Sequence, residues 1–213
     1  MIKRVAALVL FALVFALPAA AQDLAGVDIP YERHVLDNGL TVIVHEDRST
    51  PTVFVGMWYG VGSKDEPDGK TGFAHLFEHL MFGETSNHPK AEYERHHYRY
   101  GGYENAYTSF DETVYMLKVP TDDESTLDTA FQILEDWAHG LAFDSLEVEK
   151  ERGVVLEEWR LGQGAYSRIR DQQFPVLFQG SRYAERLPIG DPEVLETFDH
   201  ATLKRFYSDW YRP

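Results

Sequence analysis

The chain has 213 residues, enough for one sizeable domain, and its apolar content of 44% can furnish a core. A formal charge of −15 excludes nucleic acid and anionic membrane as the main partner. The absence of cysteine excludes a disulfide framework and a lipid-anchored cysteine.

Residues 1–21 read as a secretory signal. Lys3 and Arg4 form a basic start, Val5–Leu17 an apolar core too short for a comfortable membrane span, and Ala19-Ala20-Ala21 a small-residue cleavage site before Gln22. A signal anchor is the alternative. Losing Lys3 and Arg4 would take the charge from −15 to −17. The expectation is an exported protein, in the periplasm or outside the cell, with no other segment able to span a membrane. Residues 22–30 form a short lead, and 31–213 hold the domain. Arg33–Leu36 and Leu40–His45 predict two strands around the turn Asp37-Asn38-Gly39. Thr52–Tyr59, β-branched and aromatic, predicts a third, followed by a Gly/Asp/Pro-rich loop over Gly60–Lys70.

That loop delivers the chain to Gly72–Gly83, GFAHLFEHLMFG. On a helix His75, Glu78 and His79 share one face, while Phe73, Leu76, Phe77, Leu80 and Met81 occupy the other. Such a helix is not a solvated surface helix, so its polar groups need partners. Two imidazoles one turn apart can grip Zn²⁺, and the carboxylate beside them can serve as a base; H-x-x-E-H is the inverted zincin order. The competing reading is two core histidines satisfied by backbone groups. Gly83 fits the helix stop.

Lys90–Tyr100 predicts a second helix. Its His96 and His97 point about 100° apart and are poorly placed to share one ion. Glu104–Phe110 and Thr113–Val119 predict two strands around Asp111-Glu112. Leu127, Ala130, Phe131, Leu134, Trp137, Ala138 and Leu141 follow the helical period and predict a helix packed on the sheet, with His139 off its apolar stripe. Asp144, with Glu147 three residues on, resembles a capping box. In the helix that follows, Glu151, Val154, Val155 and Glu158 share a stripe, while Lys150, Arg152, Glu157 and Arg160 point elsewhere. Inward carboxylates are costly unless paired or bound to metal, which singles out Glu151 and Glu158; Glu149 and Glu157 go to solvent.

These residues resemble the insulinase (pitrilysin) family of zinc metallopeptidases, the inverzincins. The likeness is carried by GSKDEPDGKTGFAHLFEHLMF, by NAYTSFDETVY (Asn105–Tyr115), by EKERGVVLEEW (Glu149–Trp159), by RLPIGDPE (Arg186–Glu193) and by FYSDWYRP (Phe206–Pro213). The resemblance implies one zinc per chain held by His75, His79 and Glu158, Glu78 as the base, and Glu151 supporting the site without ligating. It implies an α+β fold, an α/β roll whose antiparallel-rich sheet carries helices on one side. It also implies that Asn105, Ala106 and Tyr107 lie on a strand that takes peptide by strand addition; an ordinary sheet strand is the alternative. Family members close two or four such domains around the substrate, so a C-terminal homologous half or second subunit is expected. The family normally enters a further strand where this chain stops, so the domain is expected to be truncated and poorly active alone. The functional expectation is an exported zinc endopeptidase acting on peptides or unfolded polypeptides. The rivals are a non-catalytic peptide-binding or assembly subunit and, more weakly, a zinc-buffering protein, which would not need Glu78.

Overall fold

The computed structural model describes residues 28–89 and 103–212. The expected signal segment, most of the lead, and the helix expected over Lys90–Tyr100 with His96 and His97 lie outside the described residues. The chain divides into two compact units at Asp47/Arg48.

In the first unit, β1 (Glu32–Val35) and β2 (Thr41–Val44) form an antiparallel hairpin that pairs Glu32 with Val44 and Val35 with Thr41. Gly39 turns the chain at φ 90°, a conformation that costs glycine little, and Asn38 Oδ1 accepts from the Leu40 N–H at 3.1 Å.

The second unit is built on a three-stranded antiparallel sheet, β3 (Thr52–Tyr59), β5 (Thr113–Pro120) and β4 (Tyr103–Thr108), with β5 central. Its registers join Met57 and Ala106 across Tyr115, and Val55 and Glu104 across Leu117. Because side chains alternate across a strand, Val55, Met57, Tyr59, Ala106, Tyr115 and Leu117 share one face and enter the core. The other face leaves Phe54, Trp58, Tyr103 and Tyr107 exposed.

Helices cover the inner face. α1 (Phe73–Leu80) packs on β4 and β5, and α2 (Glu124–His139) on β5 and β3. Phe73, Leu76, Phe77, Leu80 and Met81 are all buried, as the motif's apolar side requires. α1 ends at Leu80, and the Gly83 N–H closes the turn on the Leu80 carbonyl. The stripe of α2 differs from expectation: Leu141 lies beyond the helix, which ends at His139. Phe131 is exposed and Ile133 is buried, so the inward set is Ala130, Ile133, Leu134 and Trp137. His139 is exposed beside Glu135, off the stripe as expected.

Asp144 caps α3 (Ser145–Leu161), accepting from the Leu146 and Glu147 N–H groups at 3.0 Å each. The expected stripe is displaced here as well: Val155 is buried, but Val154 is exposed and Val148 takes its place. Arg152 points off the Glu151–Glu158 stripe, as expected. Its guanidinium stacks over Phe198 and donates to the Leu195 and Phe198 carbonyls. Beyond α3 come α4 (Ala165–Leu177), a 3₁₀ turn at Arg182–Glu185, α5 (Pro192–Thr197) and α6 (His200–Trp210). α6 completes the core by placing Phe206 and Tyr207, with Tyr211 just beyond its end, against Phe77. The α+β class and the helices on one side agree with the sequence. No helix among the described residues is long and apolar enough to cross a membrane.

Candidate metal centre

Two helices build the site. α1 presents His75 and His79 one turn apart, their rings 4.9 Å between centroids and at 89° to each other. α3 packs against α1 and presents Glu151 and Glu158 two turns apart, on the stripe that buries Val148 and Val155. Glu158 Oε2 lies 3.5 Å from His75 Nε2 and 3.5 Å from His79 Nε2. The three residues offer donor atoms that all lie within 4.8 Å of one another.

At 3.5 Å a nitrogen and a carboxylate oxygen are too far apart for a good hydrogen bond. Ligand atoms held about 2.0–2.1 Å from a tetrahedral ion stand about 3.3–3.4 Å apart. The donor set of two imidazoles and one carboxylate therefore fits Zn²⁺ with one position left open. His75 and His79 are mostly buried and Glu158 is half-exposed.

The surrounding groups orient this set. Glu151 Oε2 lies 3.4 Å from His79 Nδ1, the ring nitrogen turned away from Glu158, and its Oε1 accepts from Lys150 Nζ at 2.9 Å. This carboxylate sits behind the imidazole, where its charge steers the ring. His75 Nδ1 is buried and finds no hydrogen-bond partner among the described residues. Burial, with the charge of His79 adding, lowers the His75 pKa to about 4, so this imidazole is neutral at physiological pH and its lone pair is available to a metal. Glu78 lies on the same face of α1. Burial raises its pKa, a hydrogen bond from the Thr108 hydroxyl and the His79 charge oppose that rise, and the Glu158 charge adds to it. The hydroxyl bond is short, Thr108 Oγ1 to Glu78 Oε2 at 2.7 Å.

Asn105, Ala106 and Tyr107 lie on β4, an edge of the three-stranded sheet that also touches α1. Ala106 is buried, whereas Asn105 and Tyr107 are exposed. Glu149 and Glu157 are exposed and ion-paired with Arg152 and Arg160, away from the metal centre as expected.

Residues 41–174 match the insulinase family, peptidase family M16. The chain belongs to the insulinase family. The probable zinc protease PqqL of Escherichia coli (strain K12) is 38% identical over 184 residues, 84% of this chain and 20% of that protein. The crystal structure of the periplasmic protease PqqL from Escherichia coli has a TM-score of 0.80 at 34% identity, covering 87% of this chain and 21% of that one. Human mitochondrial cytochrome b-c1 complex subunit 1 is 32% identical over 182 residues, 84% of this chain and 36% of that subunit. The chain thus spans about a fifth of the length of PqqL.

Three groups at this insulinase-family site escaped the sequence: Thr108, which binds Glu78, and Glu66 with Gly190, which hold the start of α1. Thr108 is legible only once β4 is known to lie beside α1. Glu66 sits in a polar loop among Lys64, Asp65 and Asp68, where an acid that is wholly buried reads like one that is solvated.

Proposed function

We propose that this chain is the metal-bearing portion of an exported zinc endopeptidase that hydrolyses peptides or unfolded polypeptides. His75, His79 and Glu158 would hold one zinc ion, Glu78 would be the base, and Glu151 would support His79. The observation that carries this reading is the placement of Glu158 Oε2 at 3.5 Å from both imidazole Nε2 atoms, the edge length of a zinc tetrahedron. Kinship with proteins named zinc proteases supports it, and likeness to the periplasmic protease PqqL supports a periplasmic setting behind a signal at residues 1–21.

A bound zinc ion would supply Lewis acidity, polarising a scissile carbonyl and acidifying water. The chain's own residues do the rest. Glu78 projects from the same helix face as His75 and His79, and its raised pKa brings it nearer to neutrality, where a carboxyl both accepts and returns a proton. It would accept the proton of the attacking water and deliver it to the leaving amine. The Thr108 hydroxyl donates to Oε2 and so orients the carboxylate for that transfer. Beside it, the outer edge of β4, which pairs with no strand among the described residues, offers main-chain N–H and C=O groups at every second residue. A peptide added there as a strand would be held by its backbone, with Asn105, Ala106 and Tyr107 along its path and little demand on its side chains.

The likeness to a cytochrome b-c1 complex subunit favours a second reading, a non-catalytic peptide-binding or assembly subunit of the same fold. The presence of three ligands and a base together weighs for the enzyme. The test is zinc content together with cleavage of an unstructured peptide, by residues 22–213 alone and with the C-terminal remainder of a relative supplied in trans. Chelator-sensitive cleavage that appears or rises when the remainder is added is expected. One zinc per chain with no cleavage in either arm would point to the subunit.

A further inference from the structure

The metal helix begins without a cap of its own. Its N-cap position is Gly72, at φ 99°, where no side chain is available to accept the first-turn N–H groups. The site also forbids one. A Cβ on Gly72 would come within 3.0 Å of both Gly190 Cα and Leu195 Cδ2, and the left-handed backbone disfavours any other residue. Glu66 supplies what is missing from six residues upstream. Its Oε2 accepts the Gly72 N–H at 3.0 Å and its Oε1 accepts the Ala74 N–H at 2.9 Å, and the residue is wholly buried. Ala74 immediately precedes His75. Burial pushes the Glu66 pKa up, while the Ala74 and Gly72 N–H groups and Arg186 pull it down and favour the carboxylate that accepts both bonds.

Glu66 is itself held from outside the helix. Arg182 Nη2 donates to the Glu66 carbonyl at 2.6 Å, and Ser63 Oγ donates to the Arg186 carbonyl at 2.6 Å. The Asp191 N–H donates to Thr71 Oγ1 at 3.0 Å, and the Gly190 backbone lies against that of Gly72. The same segment runs into α5, which Arg152 fastens to α3. One stretch of chain, Arg186 to Phe198, therefore ties the start of the histidine helix to the helix that carries Glu158.

We propose that Glu66 is a positioning residue for the metal centre, standing in for the absent cap of α1 and, with the Arg186–Asp191 segment, fixing where His75 and His79 stand relative to Glu158. This rests on the reading of those three residues as zinc ligands. A metal site tolerates ligand displacements of only about 0.2 Å. Losing one carboxylate acceptor leaves a buried N–H unpaired at the helix start, so the first turn loosens where His75 sits.

The experiment compares the full chain with its Glu66→Gln, Arg182→Gln and Asp136→Asn variants, by zinc competition against a chromophoric chelator and by amide hydrogen exchange. Glu66→Gln should weaken zinc binding about 10–100-fold, the range for groups that orient ligands. It should also speed exchange at Gly72–Leu76 while leaving α2 protected. Arg182→Gln, at a half-exposed residue that releases Glu66 from outside, should shift both readings in the same direction by a smaller factor and carries the test if Glu66→Gln does not fold. Asp136→Asn disturbs the buried cluster of Thr85, Asn87 and His88 and controls for general destabilisation; its zinc affinity should stay within about twofold. Unchanged affinity and exchange in both the Glu66 and Arg182 variants would overturn the proposal, as would an equal loss in Asp136→Asn. A wild-type chain that takes no zinc would overturn the metal reading instead, and the exchange at Gly72–Leu76 would still decide whether Glu66 is the cap.

Discussion

Thr108 Oγ1 donates to Glu78 Oε2 at 2.7 Å, joining the end of the edge strand β4 to the middle of the metal helix. The proposed base and the proposed substrate strand are thus linked through Thr108, by its hydroxyl and by its backbone. Thr108→Val keeps the shape and removes the hydroxyl donor, so Glu78 would be held only by the residue's backbone. Turnover of an unstructured peptide, measured with a relative's C-terminal remainder in trans, is expected to fall about tenfold with zinc content unchanged, since loss of orientation typically costs about 1–2 orders of magnitude. Thr108→Ser should restore most of it. Turnover within twofold of wild type in Thr108→Val would show that this bond has no part in the reaction.

The imidazoles and the base should separate cleanly. His75→Ala or His79→Ala removes one of three protein ligands and is expected to abolish stoichiometric zinc, measured by metal analysis after dialysis. Glu78→Gln keeps a polar side chain of similar shape and should retain the metal, while hydrolysis falls by two or more orders of magnitude. A His75 or His79 variant that keeps one zinc per chain would remove the proposed site, and near-normal hydrolysis by Glu78→Gln would move the base elsewhere.

What is legible in the sequence follows from how local each signal is. The apolar side of α1 and the strand β3 can be read directly, because their periodicity is contained within a few residues. On α3 the periodicity places the two carboxylates correctly but sets the valine stripe off its true line. Val148, Val154 and Val155 all fit a helical period with Glu151, and only packing against α1 decides that Val148 faces inward. α4 gives no stripe because Tyr166, Ile169, Val176 and Leu177 are exposed, so its apolar residues do not gather on one buried side. Thr108 and Glu66 act across 30 and 6–8 residues of chain respectively, through contacts that exist only when the sheet and the helix start have met.

The metal-free chain should carry a pH signature of His75. Its pKa is lowered to about 4 from an ordinary 6.5, by burial and then by His79. A depressed folded value means that stability from this group is complete above about pH 6.5 and is lost as pH falls through about 4, at most about 3 kcal/mol in all. Glu66 works in the opposite sense. Raised to about 8, it contributes most below its unfolded value and less as pH climbs toward 8. The two overlap in a bulk unfolding curve, so the decisive measurement is NMR titration of the His75 ring in zinc-free protein. A midpoint near 4 is expected; one near the ordinary 6.5 would show that the ring is solvated. The acid loss of stability should also be smaller in His75→Asn than in wild type.

The two carboxylates of α3 should differ in kind. Glu158 Oε2 faces the Nε2 atoms of both histidines, so it occupies the third corner of the donor set. Glu151 Oε2 lies 3.4 Å from His79 Nδ1, on the far side of that ring, and its Oε1 pairs with Lys150. Glu158→Gln replaces an anionic ligand by a neutral amide and leaves two imidazoles to hold the ion, so zinc affinity should fall by well over about a hundredfold, the upper end of what an outer group costs. Glu151→Gln keeps all three donors but loses the charge behind the His79 ring; a fall of about 10–100-fold is expected. Competition titration of both variants with the same chelator ranks them directly. If Glu151→Gln proved the more damaging, the ligand would be the carboxylate seven residues earlier on the helix, and α3 would have to be rotated or shifted relative to α1 by two turns.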